Sequence, residues 1–357
     1  MKILLFGEYS GLFNSLKDGL INLGHDVFLV SNGDYHKNYP SDYRYDMYFK
    51  GKIGNAVSLI NVFTHLKLFS GFDVVLIISV NPLFKQSISK VFIEYLIHNN
   101  KKVFISGAGL NTYSFNFWSN SFNSKYNEYT KLDYEGAPHK YAFPFKVNKS
   151  RLGIEKKIFD NINGYIPIMY EYSEPYRDYN NLIKTIPIPI NLSKFEYKPN
   201  FVNKKIVFFH GITRACKGGK YILEAFDLLS KKYSKEAEFI AKGGLPFNEY
   251  MELIERTNVI LDDANAYSLG MNGLFSMAKG KIVMGGAEPV ANAELGYEYC
   301  PAINLTSNVK SIINSVENII ERKMELEQIG YLSRRFVEEY HDYNKVAQEY
   351  VNVFETY

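Results

Sequence analysis

The chain has 357 residues, 46% of them hydrophobic, enough for two domains of ordinary size with a core each. Its 41 basic residues face 38 acidic ones, a balance too even for a nucleic-acid binder. Two cysteines, Cys216 and Cys300, form neither a disulfide framework nor a metal-ligand set and suit a reducing compartment.

The start MKILLFGEYSG has too short an apolar run for a signal peptide, and no apolar run approaches the ~18 residues that span a bilayer. A cytoplasmic protein is expected. The slight positive charge leaves room for peripheral contact with the inner face of the cell membrane.

In chain order, ILLF (3–6) reads as a buried strand, LFNSLKDGLINL as an amphipathic helix and GHDVFLVS as a second strand, with Gly7 and Gly11 at the first turn. DVVLIIS (73–79) has the unbroken apolar run of a parallel strand covered on both faces, and a helix over 84–97 leads to the strand KVFISG, which ends at Gly107. Residues 110–150 lose all periodicity and read as a long functional loop. The rhythm resumes with a helix at 151–161, the strand YIPIM and a helix after Ser173. TIPIPINL (185–192) is an extended connector, because proline disfavours helix in the residue before it.

The second half repeats the layout: KIVFFH, a helix at 218–232, EFIAK, a helix at 247–256, NVILD, a helix at 271–279 and KIVMG. One helix is expected over 307–328, and a last one carries Phe336, Tyr340, Tyr343, Ala347, Tyr350 and Phe354 as a core-facing stripe. Alternating strands and helices point to an α/β protein of doubly wound parallel sheets. The expected domains are 1–188 and 189–332, with 333–357 returning onto the first.

Chemistry concentrates where strands of the second half end. In HGITRACKGG, a strand gives way to a helix whose unpaired N–H groups favour an anion. Gly211 lets the backbone approach, Arg214 grips phosphate through two nitrogens, and Lys217 adds a point charge on a loop expected to face solvent. It is not a Walker loop, since Gly-Lys-Ser/Thr is absent. A second glycine-rich helix start, Gly270-Met271-Asn272-Gly273, points to the same sheet edge. A plain turn and a structural helix start are the competing readings of the two loops.

Three elements in order resemble the donor domain of a GT-B glycosyltransferase of the retaining group that includes many bacterial polysaccharide and lipopolysaccharide enzymes (glycosyl transferases group 1). They are the Gly…Arg…Lys-Gly loop (211–218), the glycine-rich start with SMAKGKIV (270–283), and GGAEPVANAELG (285–296). The resemblance implies a GT-B fold: two Rossmann-like doubly wound domains facing a cleft. It implies that Gly211, Arg214, Lys217 and the N–H groups of Gly270, Met271, Asn272 and Gly273 hold a nucleotide-sugar diphosphate. It also implies an acceptor platform in the first domain, around Gly7, Gly11 and Gly107.

The chain departs from that family where two glutamates are usual. Leu269 precedes Gly270, and Phe275 precedes SMAKG. Replacement carboxylates for donor sugar and ribose are Asp262, Glu288 and Glu294, with Glu288 the candidate catalytic carboxylate. Asp262 and Asp263 equally suit turn capping. His210 either bonds a ligand or packs, and nothing fixes His139. The tyrosines of YIPIMYEYSEPYRDY either line an acceptor groove or fill core.

No His, Cys or carboxylate cluster has metal spacing, so no metal and no cofactor are expected. The expected activity is sugar transfer from a nucleotide sugar to a hydroxyl of a glycan or lipid-linked acceptor, with no nucleic-acid partner. A sugar-nucleotide epimerase of the same architecture and a non-catalytic sugar-binding subunit are the rivals. A nicotinamide enzyme is disfavoured, because GEYSG lacks the Gly-x-Gly-x-x-Gly fingerprint.

Overall fold

The computed structural model describes residues 1–34, 37–46, 51–83, 85–120, 124–126, 147–212, 217–245 and 247–357. The chain divides into two compact units. The first combines Met1–Phe117, Phe145–Asn191 and Asp342–Tyr357; the second combines Leu192–His341 with the described residues of Trp118–Pro144.

The first unit is built on β1 (Lys2–Phe6), β2 (Asp26–Ser31), β3 (Tyr43–Arg44), β4 (Val74–Ile77), β5 (Lys102–Gly107) and β6 (Gly164–Pro167). These form one parallel sheet in the order β3-β2-β1-β4-β5-β6. All four residues of β4 are buried, as an all-apolar strand covered on both faces must be. The helix Leu12–Asn22 buries Leu12, Phe13, Leu16 and Leu20. Tyr165 and Tyr176 are fully buried with ring centroids 4.5 Å apart, so this part of the tyrosine-rich stretch is core.

The second unit is built on β7 (Ile206–Ile212), β8 (Ala237–Gly243), β9 (Val259–Leu261), β10 (Ile282–Gly285) and β11 (Ile303–Asn304), again all parallel, in the order β11-β10-β9-β7-β8. From β7 the chain moves outward to β8 and then crosses back to β9. The strand order therefore reverses beside β7, at the kind of crevice where open parallel sheets take ligands.

Several elements differ from the sequence reading. The single helix expected at 307–328 is broken: Val309–Glu321 ends at Arg322, a short turn follows, and Leu326–Tyr340 begins anew. The aromatic stripe is shared between two helices. Phe336 and Tyr340 pack on Tyr297 in the second unit, each with centroids 4.9 Å away, whereas Phe354 packs on Phe104 in the first at 5.2 Å. The break falls where Asp342 caps the helix Tyr343–Thr356, accepting the N–H groups of Asn344 and Lys345 at 2.9 and 3.2 Å. Within 110–150, Thr112–Asn120 is helical. Its first turn is held from outside, by the buried Glu155 carboxylate accepting from Thr112 N and Tyr113 N at 3.0 and 2.8 Å.

The helix Tyr343–Thr356 approaches Leu12–Asn22 at Gly19, where a Cβ would lie 2.3 Å from the Tyr343 carbonyl oxygen and 2.8 Å from the Ala347 methyl. Glycine to alanine in a helix ordinarily gains about 1 kcal/mol. Overpacking against rigid backbone costs about 1–3 kcal/mol and wins here. Gly19→Ala is expected to lower the first unit's stability by roughly 1–2 kcal/mol, read as an earlier urea transition. An unchanged or later transition would contradict this packing.

Candidate functional site

In the second unit, β7, β9 and β10 end at one sheet edge, and the helices Gly219–Lys232, Met271–Ala278 and Pro289–Glu294 begin beyond it. Parallel strands followed by helices place those helix N-termini, with their unpaired N–H groups, at the carboxyl edge. Gly218 and Gly270 occupy the N-cap positions of the first two, so neither has a side chain to cap its helix. Gly218 has φ +72°, a region that favours glycine. A Cβ on Gly219 would lie 3.0 Å from His210 Nε2, while Gly211 has only ordinary contact distances around it.

Lys217 precedes the first of these helices. Its carbonyl accepts from Ala264 N at 3.1 Å, which ties the loop after β7 to the loop after β9. Its ammonium lies 3.4 Å from Asp263 Oδ2 and 3.8 Å from Asp262 Oδ1. The side chain is 21% exposed, so it is half-buried between two acids rather than solvent-facing. Asp262 Oδ1 also accepts from Asn272 Nδ2 at 3.1 Å, and Asn272 Oδ1 accepts the hydroxyl of Tyr250. A Cβ on Gly270 would lie 3.9 Å from Asp262 Oδ2, and one on Gly273 would lie 3.7 Å from it. Asp262 therefore sits at the start of the helix Met271–Ala278.

The charges in this cluster are uneven: one ammonium faces two carboxylates. Burial pushes the Asp263 carboxyl up to about 6, and the Asp262 charge adds to it. Lys217 and the Asn265 N–H, 2.9 Å from Asp263 Oδ1, oppose the rise. His210 is buried at the end of β7, with Nδ1 donating to the Leu261 carbonyl at 2.8 Å. Burial lowers its pKa, outweighing the Leu261 carbonyl and Asp262, so the ring is neutral and its Nε2 lone pair faces Gly219.

Glu288 lies beyond β10, and its N–H bonds the Tyr267 carbonyl at 2.9 Å. Its Oε1 accepts from Lys125 Nζ at 2.6 Å and from Tyr126 Oη and Asn304 Nδ2. Burial alone would raise its pKa; these three donors outweigh burial and hold it below the usual carboxylate range. An ionised, anchored carboxylate accepts hydrogen bonds and does not serve as a proton donor near neutral pH. Glu294 ends the helix Pro289–Glu294 and is half-buried. Arg214 and His139 lie outside the described residues.

The three glycines of the first unit have packing roles. A Cβ on Gly7 would lie 2.2 Å from Ile78 Cγ2, and one on Gly107 would lie 2.3 Å from Tyr165 Oη. Gly11 caps the helix Leu12–Asn22, whose start is closed by the buried Glu8: Oε1 accepts from Gly11 N at 2.9 Å and Oε2 from Asn14 N at 2.9 Å.

No protein-family model and no curated protein matches the chain. Among solved structures it is similar to sucrose-phosphate synthase from Thermosynechococcus elongatus, with 13% identity and TM-score 0.65 over 99% of this chain and 98% of that one. It is similar to HepE from Anabaena in complex with UDP and glucose, with 10% identity and TM-score 0.64 over 100% of both chains. The UDP-GlcNAc 2-epimerase from Neisseria meningitidis bound to UDP-GlcNAc has 14% identity and TM-score 0.55, again over 100% of both. The fold is GT-B. Within it, the two positions that lack the usual glutamates are apolar for a local reason: Phe275 stacks on Phe195 at 4.7 Å, and buried Leu269 packs against the Gly273 backbone.

Sequence reasoning missed Tyr250, Lys125, Tyr126, Tyr267 and Asn304. Lys125 and Tyr126 come from an aperiodic stretch assigned to the first domain, which gives no signal of a role beside Glu288.

Asp263 supplies a pH test. Its folded pKa lies above the ordinary 3.8, so its contribution to stability is full below that value and is lost as pH rises through about 6. Asp263→Asn is expected to gain on the parent by on the order of 2–3 kcal/mol between about pH 4 and about pH 7.5. Urea denaturation at the two pH values measures this; a difference that does not vary with pH would mean that Asp263 is ionised throughout.

Proposed function

We propose that the protein is a glycosyltransferase that moves a sugar from a nucleotide sugar to a hydroxyl of a glycan or lipid-linked acceptor. One observation carries the reading: Lys217 lies between two helix starts without side-chain caps, at the strand-order reversal of the second unit. The GT-B fold, shared over the full chain with structures that hold UDP and UDP-sugars, supports it.

In this reading the diphosphate lies against Lys217 and the N–H groups around Gly270, Met271, Asn272 and Gly273; Arg214, the further candidate phosphate ligand, lies outside the described residues. Charge grows on the diphosphate as the sugar–oxygen bond breaks, and donors already in place stabilise it without reorganising. No metal is needed for that step, and retention of configuration is the expected outcome. The sugar passes Glu288, and Asp262 suits a ribose hydroxyl; Glu294, at the far end of the helix that begins after Glu288, is the weakest of the three candidates. The acceptor would bind the first unit. No helix among the described residues is long and apolar enough to cross a membrane. A lipid-linked acceptor met at the inner membrane surface is part of this reading. The role fits cell-surface polysaccharide synthesis in a bacterium.

The second reading is a nucleotide-sugar epimerase, favoured by the likeness to the Neisseria enzyme and by the apolar Leu269 and Phe275. Turnover with a panel of nucleotide sugars separates the two. Donor consumed only when a glycan or glycolipid is present supports transfer, whereas an isomerised donor without acceptor supports epimerisation. Binding with neither would leave a sugar-nucleotide-binding subunit.

Lys217→Ala is expected to weaken UDP-sugar binding by at least about 10-fold, because it removes the ammonium and leaves two buried carboxylates uncompensated. The same change should destabilise the second unit, more at about pH 8 than at about pH 5.5, where Asp263 takes up a proton. Calorimetry and thermal melts give both numbers, and parental affinity in the variant would remove Lys217 from the site. Donor binding is also expected to survive a chelator; its loss in EDTA would argue for a metal.

A further inference from the structure

Among the described residues, Glu288 is bonded on one side only. Lys125 Nζ, Tyr126 Oη and Asn304 Nδ2 all converge on Oε1, and none of these bonds reaches Oε2. A carboxylate offers about four lone-pair positions, two on each oxygen. The side chain is 8% exposed, yet Oε2 is not among the buried atoms that lack a partner, so this oxygen is open to a ligand hydroxyl while Oε1 is held.

The donors themselves are braced. Lys125 N donates to Tyr267 Oη at 2.9 Å. The Tyr126 ring stands edge-on to Tyr267, with centroids 4.8 Å apart, and Trp118 stacks on Tyr267 at 5.5 Å. Tyr126 is 3% exposed, and its hydroxyl faces two acceptors, Glu288 Oε1 and the Leu305 carbonyl oxygen at 3.1 Å. With a single proton it donates to the charged oxygen. Burial, followed by the Glu288 charge, pushes the phenol's pKa up, so it remains a donor at any working pH. Tyr267 belongs to the loop that carries Asp262 and Asp263 and leads to Gly270, and its carbonyl accepts the Glu288 N–H. One brace thus sets Glu288 in the same frame as the Lys217 cluster.

We propose that Lys125 and Tyr126 are positioning residues that hold Glu288 through Oε1 and aim Oε2 at a hydroxyl of the donor's sugar, so that together they set recognition of the sugar rather than of the nucleotide. This rests on the donor-site reading given above. It assigns a role to a short stretch, 124–126, that lies far from Glu288 in sequence and belongs to the same compact unit.

The test is calorimetry on the full chain, comparing UDP-glucose, UDP-N-acetylglucosamine and GDP-mannose with UDP and GDP alone. Tyr126→Phe, Lys125→Met and Glu288→Gln should each weaken the bound nucleotide sugar by about 10-fold, the worth of one hydrogen bond to a charged group. Affinity for the matching nucleoside diphosphate should change by less than about 2-fold. The double variant Tyr126→Phe/Glu288→Gln should bind no worse than Glu288→Gln, since Tyr126 acts through Glu288, and Lys125→Arg should restore binding. Equal losses for nucleotide and nucleotide sugar, additive losses in the double variant, or no loss in variants that melt like the parent would each overturn the proposal. A parent that binds neither UDP nor GDP would overturn the donor-site reading and this inference with it. A parent that binds them while the variants fail to discriminate overturns this inference alone.

Discussion

The ammonium of Lys217, beside Asp262 and Asp263, holds together the part of the second unit where the loops after β7 and β9 meet. Burial raises the pKa of Asp263, and the charge of the neighbouring, half-buried Asp262 adds to the rise. Lys217 offsets part of it, and the hydrogen bond from Ala264 N to its own carbonyl keeps it in register with the loop after β9. In the proposed donor site, an incoming diphosphate would share this lysine with two residents of the same sign. It can do so only where further donors are at hand, and the glycine-capped helix starts supply them. The arrangement favours proton uptake when an anion binds, because added negative charge raises the pKa of Asp263 further.

The two units treat their helix starts differently. In the first, the starts after β1 and β5 are already occupied: Glu8 accepts N–H groups of Gly11 and Asn14, and Glu155 accepts those of Thr112 and Tyr113. A helix end that has its own buried carboxylate has little affinity left for a second anion. In the second unit the corresponding positions are Gly218 and Gly270, without side chains to cap them. That asymmetry agrees with the proposal that a diphosphate is held in the second unit.

The parallel strands were legible because each is a short apolar run set between helical periods; their alternation gave the doubly wound α/β class, and GT-B came from the resemblance of the three glycine-rich elements. What escaped was local. β3 and β11 have two residues each, too few for any pattern. The stripe from Phe336 to Phe354 keeps its spacing through the break at His341, so periodicity alone joined two helices that belong to different units. In the candidate site, glycine, lysine and the helix starts were visible as motifs. Tyr250, Tyr126 and Lys125 were not, since their places beside Asn272 and Glu288 come from tertiary packing and not from spacing.

The apolar residues at 269 and 275 bear on how such a site would handle a sugar. Leu269 and Phe275 are spent on packing, against Gly273 and Phe195, so neither position can supply a carboxylate. The acids that remain near this edge differ in state. Asp263 is held back from ionising, whereas Glu288 is held ionised by an ammonium, a phenol and an amide. Acids whose pKa values are driven apart take on different tasks. In the proposed site, the division would give Asp263 a proton to exchange as charge arrives at Lys217, and Glu288 a fixed negative oxygen for a hydroxyl to meet. The two tasks need different supports, burial for one and converging donors for the other, and the chain draws the second support from a stretch well over a hundred residues upstream of Glu288.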